Sequence, residues 1–149
     1  MKKDIIKALK IALSCCLSIF VAEYFDLQYS ATAGIVALLT VTDTRQQTLT
    51  LAIQRLLSFL VSIIIAIFVF QTTQIHWLTF GIYIFFIVAI SYHFNWHGTI
   101  SVNAVIGTHI LFSTAVTSKF IINEFWIVFI GSLFAIGINM IIPKKTYQD

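Results

Sequence analysis

IQRLLSFLVSIIIAIFV, residues 53–69, decides the fold. After Arg55 the stretch is apolar for fourteen residues except for Ser58 and Ser62. On a helix, Arg55, Ser58 and Ser62 fall at i, i+3 and i+7, and Ser58, Ser62 and Ala66 follow at steps of four, so the arginine and the small residues share one face. Small residues at that spacing let backbones approach closely in lipid, where hydrophobicity cannot pull helices together, while Leu57, Leu60, Ile64 and Phe68 are left to hydrocarbon. Arg55 has two readings. It attracts anions to the mouth of a polar path, or it snorkels to the headgroups and anchors a helix end.

Composition places the whole chain in the same class. Of 149 residues, 59% are hydrophobic and 10% charged, against about 25% charged in soluble domains. Mean hydropathy is +0.95. A soluble surface needs more polar residues than this, so the sequence reads as an all-α integral membrane protein. Apolar segments at residues 5–24, 28–42, 55–71, 75–91, 100–118 and 122–142 predict six transmembrane helices in a single domain over residues 1–149. The second is short. It either continues into residues 43–54, crosses a thinned bilayer or is shielded by neighbours.

Charge orients the bundle. A cytoplasmic N-terminus leaves Lys2, Lys3, Lys7, Lys10, Arg45, Arg55, Lys144 and Lys145 inside and Lys119 alone outside, so both termini are predicted to be cytoplasmic. The net charge of +3 is then a topology signal and not a nucleic-acid footprint. Residues 11–22 follow lysines as a signal peptide would, but Phe20 and Ala22 make a poor cleavage site and further spans follow. Cys15 and Cys16 read as small buried hydrophobes, not as a disulfide framework or zinc site.

Shifting the chain by 69 residues lays residues 22–34 over residues 91–103. Phe25 falls on Phe94, Asp26 on Asn95, Ser30 on Thr99 and Thr32 on Ser101. The same shift puts Arg55 on Glu124, Ser62 on Gly131, Ala66 on Ala135 and Thr40 on His109. Halves of about residues 5–71 and 75–142 would each hold three spans, an odd number, and so enter the membrane with opposite orientations. That is the inverted-repeat plan of many transporters, with binding sites near the midplane.

Polar residues within spans are the candidates for function. The fifth span holds Asn103, Thr108, His109, Ser113, Thr114 and Thr117. His109 reads either as a proton-coupling or substrate-contacting group or as a neutral histidine bonded to a neighbouring helix. In the sixth, Gly131, Ala135 and Asn139 form a packing stripe, Asn139 reads as a cross-helix hydrogen bonder, and Pro143 closes the helix. His76, His93 and His97 accompany Trp77 and Trp96 and read as headgroup-depth residues in preference to a metal site. No nucleophile, base and orienting acid assemble, and no phosphate loop or cofactor motif is present, so no enzyme and no cofactor are expected.

YSATAGIVALLTVTDTRQQTLTLAIQR (residues 29–55), GTISVNAVIGTHIL (98–111) and NEFWIVFIGSLFAIGINMIIP (123–143) resemble the membrane domain of bacterial aromatic acid exporters, within the wider fusaric acid resistance group. Plant aluminium-activated malate channels look similar. Ala33, Gly34, Arg55, Asn103, His109, Asn123, Glu124, Gly131 and Asn139 match the family pattern. The resemblance implies six helices, cytoplasmic termini, a homodimer in the bacterial plasma membrane and efflux of organic anions. Many relatives carry glycines where Ser58 and Ser62 stand here. Relatives also usually carry a cytoplasmic C-terminal helical domain, whereas this chain stops at Asp149, which reads as a membrane-only member or a fragment.

The expectation is therefore an exporter of small organic anions, aromatic carboxylates among them. Arg45 and Arg55 would draw anions to the cytoplasmic mouth, Asn103, His109 and Thr40 would line the middle, and Lys119 and Glu124 would form the outer rim. A membrane assembly subunit without a pore and a transporter of a neutral or cationic solute are the competing readings. A water-filled path to Asn103 and His109 favours transport, and a dry interdigitated bundle favours the assembly subunit.

Overall fold

The fold is seen in a computed structural model that describes residues 2–41, 45–72, 76–113 and 118–141. Six helices follow one another: α1 (Lys2–Tyr24), α2 (Ser30–Thr40), α3 (Arg45–Thr72), α4 (His76–His93), α5 (Ile100–Ser113) and α6 (Ser118–Ile141), with a 3₁₀ turn at His97–Thr99 before α5. No strand occurs among the described residues. Among the described residues, three helices are long and apolar enough to cross a membrane, over Lys2–Tyr24, Gln46–Val69 and Ser118–Met140. Shorter apolar helices are Ser30–Thr40 and Trp77–His93.

Two boundaries differ from the apolar segments. The arginine-led third segment is preceded by a further ten residues of helix, because Gln, Leu, Ala and Thr between Arg45 and Gln54 sustain helical backbone without being uniformly apolar. The second segment does not run on: Val41 turns to an extended conformation at φ −66°, ψ 121°, ending α2 at Thr40. Pro143, expected to close the last helix, lies outside the described residues, as do Thr114 and Thr117.

Polarity is arranged the opposite way from a soluble helix. On α1, Lys10, Ser14, Ser18 and Ala22 are buried at steps of four, while Ile5, Leu9, Leu13 and Leu17 are exposed at the same step. On α3, Arg55, Ser58, Ser62 and Ala66 are buried, and Leu57, Leu60, Ile64 and Phe68 are exposed. Cys16 departs from expectation: it is exposed and Cys15 half-buried, because Cys16 falls midway between Ser14 and Ser18, two positions off the buried stripe, and Cys15 only one.

The chain forms two compact units, one from Met1–Ile53 with Phe125–Asp149 and the other from Gln54–Glu124. In the first, Ala22, Ala33 and Ile127 form a buried cluster flanked by Leu27 and Tyr29, and Val41, Ala135 and Ile138 form another with Ile11. Here α6 meets α2 at Gly131, where a β-carbon would lie 2.6 Å from the Ala33 carbonyl oxygen and 2.7 Å from Val36 Cβ. In the second unit α4 lies along α5, tied by the Tyr83 hydroxyl, which donates to the Asn103 carbonyl at 2.9 Å.

The 69-residue shift that aligns the sequence also aligns local geometry. Asp26 and Asn95 are both left-handed, at φ 59° and 60°. Each sits in the same helix-ending turn: Asp26 N–H donates to Glu23 O and Leu27 N–H to Ala22 O, as Asn95 N–H donates to Tyr92 O and Trp96 N–H to Ser91 O. This is the Schellman pattern, with Asp and Asn in the place where glycine is commonest. The buried stripe Lys10, Ser14, Ser18, Ala22 on α1 corresponds, residue for residue, to Thr79, Tyr83, Ile87 and Ser91 on α4.

Candidate functional site

Of the candidate residues, Arg55, Asn103, His109, Lys119 and Glu124 fall in the second unit. Its α3 segment begins at Gln54 and immediately buries Arg55, whose relative exposure is 2%. A turn further, the Ser58 hydroxyl donates to Arg55 O at 3.2 Å, and the Ser62 hydroxyl donates to Phe59 O at 2.9 Å. These serines satisfy themselves on their own helix and so keep the face small. Arg55 holds interactions of its own within the structure, as a buried guanidinium must.

From α5 and α6 come the paired groups. His109 Nδ1 and Glu124 Oε1 are 2.6 Å apart, with 7% and 0% of their side chains exposed. The other carboxylate oxygen, Oε2, accepts from Asn123 Nδ2 at 3.2 Å. Glu124 was expected beside Lys119 at an outer rim. It is instead fully buried against the histidine expected at mid-span, whereas Lys119 is exposed. The contact ties α5 to α6 through two buried side chains.

Asn103 is 2% exposed and enters through its backbone carbonyl, which takes the Tyr83 hydroxyl. Beside it lies a cavity of about 10 Å³ lined by Ser58, Val61, Ile87, Ile90, Ser91, Trp96 and Asn103. That is about the space one water needs. Asn103 and His109 are thus enclosed, with Gly107 admitting Tyr83 so closely that a β-carbon there would lie 2.6 Å from Tyr83 Cε2.

The remaining candidates belong to the first unit. The Thr40 hydroxyl donates to Val36 O on its own helix. Asn139 Nδ2 donates to the Thr48 hydroxyl, joining α6 to α3. Of Arg45 only the backbone is described, at the first position of α3. A concavity of about 580 Å³ in this unit is almost wholly apolar, lined by Val21, Phe25, Leu27, Trp126, Phe129, Ile130, Leu133 and Phe134.

Sequence reasoning overlooked three residues. Thr48 sits seven before Arg55 on the same helix face, a spacing that points to it. Tyr83 was hidden in an aromatic run, yet it falls one turn beyond Thr79 on the buried stripe of α4. Lys10, counted as a topology charge, is 2% exposed. His93 and His97 are exposed at the α4 end, with Phe94 and Tyr92 as ring neighbours at 4.9 and 4.6 Å. Among the described residues no three His, Cys, Asp or Glu side chains are grouped as a metal would require.

Comparison with known proteins adds three findings. The family described as aromatic acid exporter family member 1 matches residues 3–142. An uncharacterized Bacillus subtilis (strain 168) protein, YqjA, is 25% identical over 138 residues, covering 93% of this chain and 43% of that protein. The chain therefore spans less than half the length of that relative. No solved structure matches.

Proposed function

Because the chain belongs to the aromatic acid exporter family, we propose that it is a multi-pass membrane exporter of small organic anions, with aromatic carboxylates as the first class to test. The observation that carries this reading is Arg55, a guanidinium buried to 2% exposure in a helix whose other face is exposed leucine, isoleucine and phenylalanine. A buried cation in an apolar surround is costly and is retained where it meets a charge. Arg55 draws the anion inward from the cytoplasm, with Arg45 at the mouth, and Asn103, His109 and Thr40 line the route. Glu124 acts with His109, Lys119 belongs to the outer side, and Asn139 secures helix packing through Thr48.

In this reading all six helices cross the bacterial plasma membrane, both termini are cytoplasmic, and the chain works as a homodimer, since six short spans leave little room for a conduit of their own. The short α2, of 11 residues, reaches only about 16 Å and would need shielding by neighbours in a hydrocarbon layer of ~30 Å. Two inverted three-helix repeats underlie the fold. The matching turns at Asp26 and Asn95 and the matching buried stripes of α1 and α4 support that plan.

The enclosed surroundings of Asn103 and His109 favour the competing reading, an assembly subunit without a pore. Flux decides between them. The purified 149-residue protein in proteoliposomes is expected to move selected aromatic or aliphatic carboxylates, Arg55→Ala to abolish that flux while remaining folded, and Arg55→Lys to keep part of it. Unchanged flux in a well-folded Arg55→Ala variant removes the role of Arg55, and no flux from a folded wild-type oligomer favours the assembly subunit.

A further inference from the structure

We propose that the apolar concavity between the end of α1 and α6 holds one acyl chain of a phospholipid whose headgroup carries an ammonium, with Glu23 and Asp26 as the partners of that charge. This stands apart from the anion route and needs only that α1 and α6 span a membrane. The whole lining lies in the first unit: Val21, Phe25 and Leu27 on one side, and α6 from Trp126 to Phe134 on the other. At about 580 Å³ it has the size of a small-ligand site. Ala22 packs with Ile127, and Ile11 with the cluster of Val41, Ala135 and Ile138, so α6 runs back along α1. The groove therefore descends from the α1–α2 turn towards Phe134. From Trp126 to Phe134 is eight helical steps, about 12 Å, close to the ~15 Å of hydrocarbon in one leaflet.

Polarity along the groove has the order of a lipid. Its deep end, Ile130, Leu133 and Phe134, is hydrocarbon alone. At its mouth Phe25 and Leu27 flank Asp26 in sequence, Glu23 stands two residues before Phe25, and both carboxylates are exposed. Residues 20–30 and 125–135 contain no lysine, arginine or histidine, so these two carboxylates leave the mouth negative. That disfavours an aromatic carboxylate there, and an anionic headgroup as well. Tyr24 and Trp126, both exposed, supply a hydroxyl and an indole N–H, donors suited to a phosphate at headgroup depth. A symmetric contact with a second copy through this groove would bring two negative mouths together at one depth, and like charges oppose it. A zwitterionic lipid meets both ends of the groove with groups that match.

Quenching of Trp126 fluorescence by phospholipids brominated on their acyl chains tests this, in the full chain carrying Trp77→Phe and Trp96→Phe so that Trp126 alone emits. In nanodiscs of mixed composition, brominated phosphatidylethanolamine is expected to quench about threefold more effectively than brominated phosphatidylglycerol at the same low mole fraction. Glu23→Gln combined with Asp26→Asn should bring the two lipids to equality. Native mass spectrometry of the wild-type chain in detergent gives a second reading that needs no tryptophan substitution. Phosphatidylethanolamine should be retained under conditions that strip phosphatidylglycerol, and the carboxylate variant should lose that preference. Equal retention and equal quenching of the two lipids by the wild-type carboxylates overturn the proposal. Loss of quenching on adding benzoate assigns the groove to a carboxylate and overturns it too. If neither lipid quenches Trp126 and Leu133→Cys chains form a disulfide-linked dimer, a second copy covers the groove and the proposal falls. Carboxylate flux in proteoliposomes is a separate readout, so a failed export reading leaves a measured lipid preference standing.

Discussion

At the scale of single residues, some buried polar groups hold helices to one another. Asn139 and Thr48 do so: the amide of one donates to the hydroxyl of the other across 91 positions of sequence. Thr48→Val removes the acceptor and leaves a buried amide short of a partner, so a loss of about 1 kcal/mol is expected, as for other interhelical hydrogen bonds in lipid. Thr48→Val combined with Asn139→Leu should cost less than the sum of the two, read as unfolding in detergent against a double-mutant cycle. Strict additivity would mean that the bond contributes nothing. Arg55, His109, Asn103 and Glu124, all buried, stood out in the sequence, because ionisable and amide side chains in apolar spans are conspicuous. Their pairing was not. Glu124 opens its apolar segment, and a residue at a segment's edge looks superficial until helix is seen to precede it through residues 118–123.

At the scale of elements, spacing at steps of four told where helices touch, and apolar runs told roughly how many helices there are. What runs of hydrophobicity could not mark was helix length. Backbone geometry continues through Gln46 and Gln47 as readily as through leucine, so α3 has 28 residues where the apolar segment has far fewer. Gly131 was read as part of a packing stripe, and the structure supplies the reason for its size. A β-carbon would be 2.6 Å from a backbone oxygen, an atom that moves only with its helix. Gly131→Ala is therefore expected to destabilise the protein by about 1 to 3 kcal/mol despite the better helix propensity of alanine. A thermal midpoint in detergent equal to or above wild type would contradict this. The helix-ending turns act in the other direction. Asp26 and Asn95 occupy left-handed backbone that glycine adopts more readily, so Asp26→Gly and Asn95→Gly should each be neutral or stabilising by up to ~1 kcal/mol, while valine at either position should be destabilising.

At the scale of the whole molecule, each compact unit draws on both halves of the sequence. The first takes α1, α2, the start of α3 and the later part of α6; the second takes α4, α5, the start of α6 and the later part of α3. The two units thus have corresponding compositions under one shift of the chain. Chains cut between α3 and α4 and co-expressed as residues 1–73 and 74–149 are expected to reassemble, because each unit needs a helix portion from the other fragment. Recovery of either fragment folded and stable without its partner would contradict this. Reporter fusions at the two ends should both report the cytoplasmic side, as the lysine distribution predicts.

The matching buried stripes of α1 and α4 separate two inheritances that most proteins keep together. The register that packs the helices is written twice, in Lys10, Ser14, Ser18 and Ala22 and again in Thr79, Tyr83, Ile87 and Ser91. The instruction for which way up to insert is written almost entirely once, since residues 75–142 contain Lys119 as their single lysine or arginine. Moving the exposed N-terminal lysines to the α1–α2 turn would act on that direction while leaving the shared register intact.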